Sequence, residues 1–208
     1  MKESTVRRTL GAAAVAAAGA LGACTSAQNA ETMTTTTTRT ESGGAVALSG
    51  TSVDAMFTDP NVAAVGSASN QFEIQTSRVA LERAQDQRVR QFAQMMVDQH
   101  GAVEQRMMQL LQSKGRAPVD NALSLGKKNV LAATLAELRG MSGRDFDVNY
   151  VLHQIHAHDQ TLKELDTTLI PQTDDAQMRA LLENEVRPAV AEHLRQIKEI
   201  HHGMMGMR

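Results

Sequence analysis

Residues 87–114 read QRVRQFAQMMVDQHGAVEQRMMQLLQSK and carry the clearest helical pattern in the chain. The large apolar residues of this stretch recur mostly three or four positions apart, at Val89, Phe92, Met96, Val103, Met107 and Leu110. That spacing places them on one face of an α-helix. Asp86 before the stretch is a typical N-cap residue, and Gly115 after it is a typical helix stop. The pattern predicts a long helix whose apolar face packs in a core.

Similar patterns on both sides predict four more helices. One begins at Asp59-Pro60, with Asp59 as the N-cap, and runs to about residue 84. A shorter helix lies in the connection 119–141. A third long helix follows the motif Ser142-x-x-Asp145, which is typical of a capping box, and ends at Pro171. The last begins after Asp174 and contains Pro188, which is expected to kink it.

Two helix pairs joined by one long connection are typical of a ferritin-like bundle. The predicted fold is therefore all-α: a ferritin-like four-helix bundle over residues 58–202 with a short extra helix in the crossover. Composition agrees, because aromatic residues make up only 2% of the chain while Met is abundant at 12 residues. Such a core suits closely packed helices. Whether the bundle forms a homo-oligomer is left open by the sequence.

The N-terminus has the layout of a signal peptide. Basic residues, with Arg7-Arg8 among them, precede a short apolar segment that ends in Leu21-Gly22-Ala23-Cys24. This ending resembles the lipobox of bacterial lipoproteins, in which the cysteine is lipidated. We therefore interpret residues 1–23 as a signal peptide and Cys24 as the lipid attachment site. Cys24 is the only cysteine, so an intramolecular disulfide is excluded.

The segment that follows, 24–57, is rich in Thr, Ser and Gly and has no apolar period. It cannot bury enough surface to offset its ordering entropy, so we interpret it as a flexible tether. Thr25 after the cysteine resembles an outer-membrane sorting signal. The expected location is the cell envelope, as an outer-membrane lipoprotein facing the periplasm. Export by the general or by the twin-arginine route remains open.

Charge excludes one class of partner. The chain has 21 Lys and Arg against 23 Asp and Glu, and no basic stripe is visible. A nucleic-acid partner is therefore not expected, because such proteins concentrate positive charge on one face. The expected partner is a membrane, through the lipid anchor.

Two histidines fall on apolar helix faces and are expected to point inward. His100 lies between Met96 and Val103, and His158 lies between Ile155 and Leu162. At about 1.5 Å of rise per residue, Glu73 of the first helix reaches the same level as both. The same count puts His193 about two turns away, which would separate it from this layer unless the kink shifts it.

Imidazole and carboxylate are ligands of iron, zinc and copper. The metal site predicted from the sequence comprises His100, His158, Glu73 and, less directly, His193. Alternatively, these histidines only hydrogen-bond core partners. A carboxylate di-iron centre is disfavoured, because its Glu-x-x-His motif occurs only at Glu199-x-x-His202.

The C-terminal segment 203–208 and the two residues before it cluster imidazoles and thioethers. Thioether sulfur is a soft ligand that suits Cu(I) or Ag(I). A second candidate metal site is therefore formed by His201, His202, Met204, Met205 and Met207.

No catalytic residues are predicted, because no phosphate-binding loop, nucleophile elbow or Cys/His pattern is present. A binding protein is favoured over an enzyme. Two alternatives remain: a structural or interaction module without metal, and an iron-dependent redox or peroxide-handling enzyme.

Three motifs together carry a family resemblance. They are Phe92-Ala93-Gln94-Met95-Met96-Val97-Asp98-Gln99-His100, Ser142-Gly143-x-x-Phe146-Asp147-x-x-Tyr150 and Glu192-His193-Leu194. With them, residues 57–202 resemble the ferritin-like bacterial envelope proteins called domain of unknown function 4142. The resemblance implies an export signal, a helical bundle and an uncharacterised role. It matches His100, Asp147, Tyr150, His158 and His193 to the family's polar core positions.

Overall fold

The computed structural model describes residues 57–206, and every regular element in that range is a helix. In chain order the helices are α1 (Asp59–Arg83), α2 (Gln87–Ser113), α3 (Ala122–Arg139), α4 (Gly143–Glu164), α5 (Ala176–Leu181) and α6 (Arg187–Met205). A π-helical turn, Leu165–Leu169, extends α4, and a second, Leu182–Val186, joins α5 directly to α6. The prediction of an all-α fold is confirmed.

Several predicted features lie outside the described residues: the signal segment, Cys24, residues 24–56 of the tether and Met207. None of the described helices combines the length and the apolar character that a membrane span requires.

Contacts between side chains give the direction of each helix. Ser67 and Asn70 of α1 contact Glu104 and His100 of α2, so residue numbers rise on one helix as they fall on the other. The same relation holds between α1 and α4, between α3 and α4, and between α4 and α6. Helices α2 and α4 therefore run in the same direction, because α3 carries the chain back along the bundle before α4 begins.

The start of α1 differs from the prediction. Thr58 is the N-cap residue, and both its backbone N–H and its hydroxyl donate to Asn61 Oδ1. Asp59 is the first helical residue, and its buried carboxylate accepts backbone N–H bonds from Asp174 and Asp175 at 2.9 and 3.1 Å. The predicted cap thus ties the start of α1 to the start of α5 instead.

Two other helix starts also differ. Ser142 precedes α4 but its side chain makes no capping bond, because the next residue, Gly143, has a φ of +61° and turns the chain out of the usual capping geometry. The N-cap of α5 is Asp175, one residue later than predicted, and it accepts from two backbone N–H groups. Asp86 caps α2 as predicted, through a 2.8 Å bond from the Arg88 N–H.

The core of the described chain consists of two apolar clusters. One contains, among others, Phe92, Phe146, Tyr150 and Ile197. The other contains, among others, Val65, Met107, Leu165 and Val190. Between them lies a layer of buried polar side chains from α1, α2, α4 and α6, namely Asn70, Glu73, His100, Gln154, His158 and His193. We call this group the polar layer.

The helix type changes close to Pro188, where a kink is predicted. Pro188 is the second residue of α6, and only Arg187 separates it from the π-helical turn Leu182–Val186. Proline has no N–H to donate within a helix, so a change in the hydrogen-bond pattern at this place is expected. The chain stays helical through the turn, and the side chains that follow are set in a new register.

Candidate metal centre

Three helices each contribute one histidine to the polar layer. His100 comes from α2, His158 from α4 and His193 from α6, and all three side chains are buried. On each helix the histidine lies between a residue of one apolar cluster and a residue of the other, as His100 lies between Met96 and Met107. The position of these imidazoles therefore follows from the apolar pattern of the helices that carry them.

The three rings form a nearly equilateral triangle. Their centroids are 5.8 Å apart for His100 and His158, 5.3 Å for His100 and His193, and 5.4 Å for His158 and His193. One nitrogen from each ring lies within 4.8 Å of one from each other ring. Phe92 closes the triangle on one side, with its centroid 6.2 Å from that of His158 and 6.4 Å from that of His193.

The His100 ring is held by a chain of hydrogen bonds. Its Nδ1 atom lies 3.0 Å from Asn70 Oδ1, which can only accept, so Nδ1 carries the proton. The Asn70 amide in turn donates to Glu104 at 2.9 Å, and Ser67 donates to the other oxygen of Glu104. Nε2 of His100 is left with a lone pair and has no hydrogen-bond partner.

His158 shows the same pattern with a backbone acceptor. Its Nδ1 donates to the Gln154 carbonyl at 2.9 Å, and its buried Nε2 has no partner. Glu73 lies on the bonded side of the ring, with Oε1 3.6 Å from Nδ1. The level predicted for Glu73 is confirmed, but Glu73 faces the bonded nitrogen of His158 and lies outside the three-histidine group.

His193 completes the arrangement with the opposite tautomer. Its Nε2 donates to Gln99 Oε1 at 2.7 Å, and its buried Nδ1 has no partner. The separation of about two turns expected from a rise of about 1.5 Å per residue is wrong. The count compared backbone levels, whereas side chains lean toward the N-terminus of their helix. On the antiparallel helices α4 and α6, the His158 side chain therefore leans away from the connection between them and the His193 side chain leans toward it.

All three imidazoles are neutral at pH 7. Burial lowers the pKa of His158 to about 4, and the bond to the Gln154 carbonyl offsets part of that effect. Burial and the neighbouring His158 lower the pKa of His193 to about 4. Burial, with His158 and His193 nearby, holds the pKa of His100 well below 6.5. Each ring therefore keeps one lone pair available.

The second predicted metal site has a different character. Helix α6 continues through Met205, and Met204 is buried in the apolar cluster that contains Phe92. His201 is half-buried and His202 is exposed, with ring centroids 6.2 Å apart. His201 lies eight residues beyond His193 on one helix, so about 12 Å separates this end from the polar layer. The two candidate sites are therefore distinct.

Two residues matched by the family resemblance have structural partners. Asp147 accepts backbone N–H bonds from Gln85 and Asp86 and so holds the turn between α1 and α2. The hydroxyl of Tyr150 lies 2.8 Å from that of Ser77, and both groups are buried. Neither residue belongs to the three-histidine group.

The orienting partners Asn70 and Gln99 were not predicted from the sequence. Asn70 has a usable signal, because it lies one turn before Glu73 and between apolar residues of α1, where an unpaired amide would be costly. Gln99 is exposed and neighbours His100 in the chain, so only the placement of His193 reveals its role.

An all-helical bundle in which three helices bring buried histidines together defines a class: helical-bundle proteins with a candidate metal centre in the core. Within that class, the chain belongs to the family described as domain of unknown function (DUF4142), whose sequence model matches residues 46–200. The match confirms the family that the motifs predicted. Searches among curated proteins and among solved structures found no match.

Proposed function

We propose that this protein binds one transition-metal ion through Nε2 of His100, Nε2 of His158 and Nδ1 of His193. One observation carries the proposal: one nitrogen of each buried ring lies within 4.8 Å of one nitrogen of each other ring, and each ring has one buried nitrogen without a hydrogen-bond partner. On each ring the other nitrogen is bound to an oxygen. Metal-binding histidines have this arrangement, because the second hydrogen bond fixes the tautomer and the ring orientation.

The donor set favours particular metals. Three neutral imidazoles suit zinc, copper, iron and nickel, whereas magnesium and calcium prefer oxygen ligands. A tetrahedral zinc ion with Zn–N bonds of about 2.1 Å requires about 3.4 Å between nitrogens. The imidazoles need to approach by roughly an ångström, which small side-chain rotations supply.

A purely structural role explains the same residues less well. A buried polar atom without a partner costs about 1–3 kcal/mol. The polar layer contains three such nitrogens side by side. A core that used histidine only for packing would be more stable with apolar residues at these positions, whereas a metal ion satisfies all three lone pairs at once.

We also propose a fold type and a cellular location for this metal-binding domain. The up-down pair α1 and α2, the return through α3 and the parallel direction of α2 and α4 are features of a ferritin-like bundle. The motif Leu21-Gly22-Ala23-Cys24 supports a lipid anchor at Cys24. We propose that a ferritin-like domain is held at the outer membrane and binds its metal in the periplasm.

Metal analysis of the purified whole chain tests the function. After metal-free purification and loading with Zn²⁺ or Cu²⁺, mass spectrometry should find about one equivalent that survives gel filtration. His100→Ala, His158→Ala and His193→Ala should each lose that equivalent while the helical circular dichroism is kept. His156→Ala is the matched control, because His156 is exposed on the same helix as His158.

Two results would contradict the proposal. Absence of bound metal after loading would leave the structural module as the function. Metal that survives all three core substitutions but is lost from His201→Ala and His202→Ala would move the site to the end of α6.

A further inference from the structure

The polar layer borders a small, partly enclosed cavity. This cavity of about 30 Å³ is lined by Glu73, His100 and His158 on one side and by apolar residues that include Val103, Val186 and Val190 on the other. A water molecule needs roughly 10–15 Å³ of such space. The cavity therefore has room for one small molecule or ion beside the converging histidines.

A larger pocket leads toward the same place from the surface. It has a volume of about 260 Å³. Helix α2 forms one wall, and the π-helical turn Leu182–Val186 with the start of α6 forms the other. His100 and His193 lie at its inner end, and the exposed ion pair of Arg106 with Glu185 lies at its outer end. The pocket and the cavity share Asn70, His100 and the three valines as common walls.

Small residues keep this pocket open. Ala102 of α2 and Ala189 of α6 line it. Neither is fully buried, so neither is filling the core. The π-helical turn places Val186 on the wall shared with the inner cavity. His100 and His193 line the pocket directly, so a small molecule from solvent can reach these two histidines along this path.

The charge of the site determines what would occupy the fourth position. Three neutral imidazoles leave a divalent ion with its full charge inside the core, and an uncompensated buried charge is costly. The carboxylate that lines the cavity, Glu73, has Oε1 3.6 Å from Nδ1 of His158, the nitrogen that donates to the Gln154 carbonyl. An anion from solvent is then the simplest source of compensation.

Building on the proposed function, we propose that the metal held by the three histidines keeps an open fourth position, and that a small anion reaches it through the pocket between Ala102 and Ala189. The fourth ligand is hydroxide or a similar small anion that exchanges with solvent. Sites with three protein ligands and one exchangeable ligand are the arrangement found in metal centres that act on small molecules, whereas structural sites have four protein ligands.

Azide titration of the copper-loaded whole chain tests this proposal. Copper content is measured first, so that a failure to bind metal is recognised separately and overturns both proposals. With one equivalent of Cu²⁺ bound, azide should produce a charge-transfer band that saturates at one azide per copper. Stoichiometric copper that gives no azide band would overturn the open position while leaving metal binding intact.

Two variants test the path. Ala189→Phe and Ala102→Phe fill the pocket from opposite walls without replacing a histidine, and each should slow azide binding at least tenfold at unchanged copper content. Ala133→Phe, on an exposed position of α3, is the matched control and should bind azide at the normal rate. Normal rates in both pocket variants would overturn the proposed path.

One further variant tests the competing ligand. Glu73→Gln removes the carboxylate from the cavity wall. The proposal expects azide to bind in the chain with and without this substitution. If azide binds only to the Glu73→Gln variant, the carboxylate itself fills the fourth position and the open site is disproved.

Discussion

The hydrogen bond between His100 and Asn70 determines which nitrogen of His100 is free. Because the 3.0 Å bond to Asn70 Oδ1 uses the Nδ1 proton, the lone pair of the ring lies on Nε2, which is buried and has no hydrogen-bond partner. Asn70 itself is held by Glu104. A residue of α1 thus sets the orientation of a ring on α2 without belonging to the three-histidine group.

Replacement of Asn70 should weaken metal binding without abolishing it. Partners that orient a metal-bound histidine typically contribute about 10- to 100-fold in affinity. We expect Asn70→Ala to raise the Zn²⁺ dissociation constant by that factor, measured by competition with a chromophoric chelator. Asn149→Ala is the control, because Asn149 donates only to a backbone carbonyl within α4. An unchanged dissociation constant in Asn70→Ala would contradict the orienting role.

The stability of the metal-free protein should pass through a maximum near pH 6.5. His158 and His193 have pKa values of about 4 when folded against an ordinary 6.5, so below pH 6.5 the unfolded chain binds more protons and stability falls. Burial raises the pKa of Glu73 from 4.5 to about 8, which Gln154 and Lys127 only partly offset. Folding therefore keeps a proton on Glu73, and stability falls as pH rises from 4.5 to 8.

Between pH 4.5 and 6.5 the effect of the histidines on the free energy of unfolding exceeds the opposite effect of Glu73, so stability rises with pH. Above pH 6.5 only the titration of Glu73 still changes stability, and stability falls. Urea unfolding in the presence of a chelator at half-unit pH steps measures this profile. Glu73→Gln should remove the decline above pH 6.5 and leave the acid side unchanged. Glu137→Gln is the control at an exposed position. A decline that persists in Glu73→Gln would show that another group causes it.

The buried contact between Tyr150 and Ser77 should contribute to the free energy of unfolding and leave metal binding unchanged. Tyr150→Phe leaves the Ser77 hydroxyl buried and unpaired, which should cost about 1–3 kcal/mol. The double variant Tyr150→Phe, Ser77→Ala removes both polar groups and should recover most of that loss. Chemical denaturation measures the free energies, and bound metal should stay at one equivalent throughout. Equal losses in the single and double variants would contradict the pairing.

Met204 and Met205 should respond differently to truncation. Met204 is 2% exposed in an apolar cluster, so Met204→Ala should lower the free energy of unfolding by about 2–5 kcal/mol. Met205 is half-buried, and Met205→Ala should cost much less. Thermal unfolding compares the two. If both changes are tolerated equally but reduce copper binding, the end of α6 acts as a soft-metal site instead.

Much of this architecture could be predicted from the sequence, because the periodic apolar residues of a helix mark the face that is buried. His100 and His158 were identified as inward-pointing from their neighbours on the apolar face, and both are buried. The predicted level of His193 was wrong, because a residue count along each helix ignores the direction in which the side chains lean. The sequence also predicts that Glu73 lies at the level of His158, but only the structure shows which nitrogen of His158 it faces. Tertiary contacts across helices decide such details.

The polar layer also affects the local unfolding of the bundle. It divides the core into two apolar clusters, and in the metal-free protein each cluster holds its own end of the bundle. Segments that share few apolar contacts exchange amide hydrogens as separate units. A metal ion ligated from α2, α4 and α6 would join these units, because neither end could then separate without releasing a ligand. Loading would convert two local opening reactions into one cooperative transition, which native-state hydrogen exchange records as a single protection level across both ends.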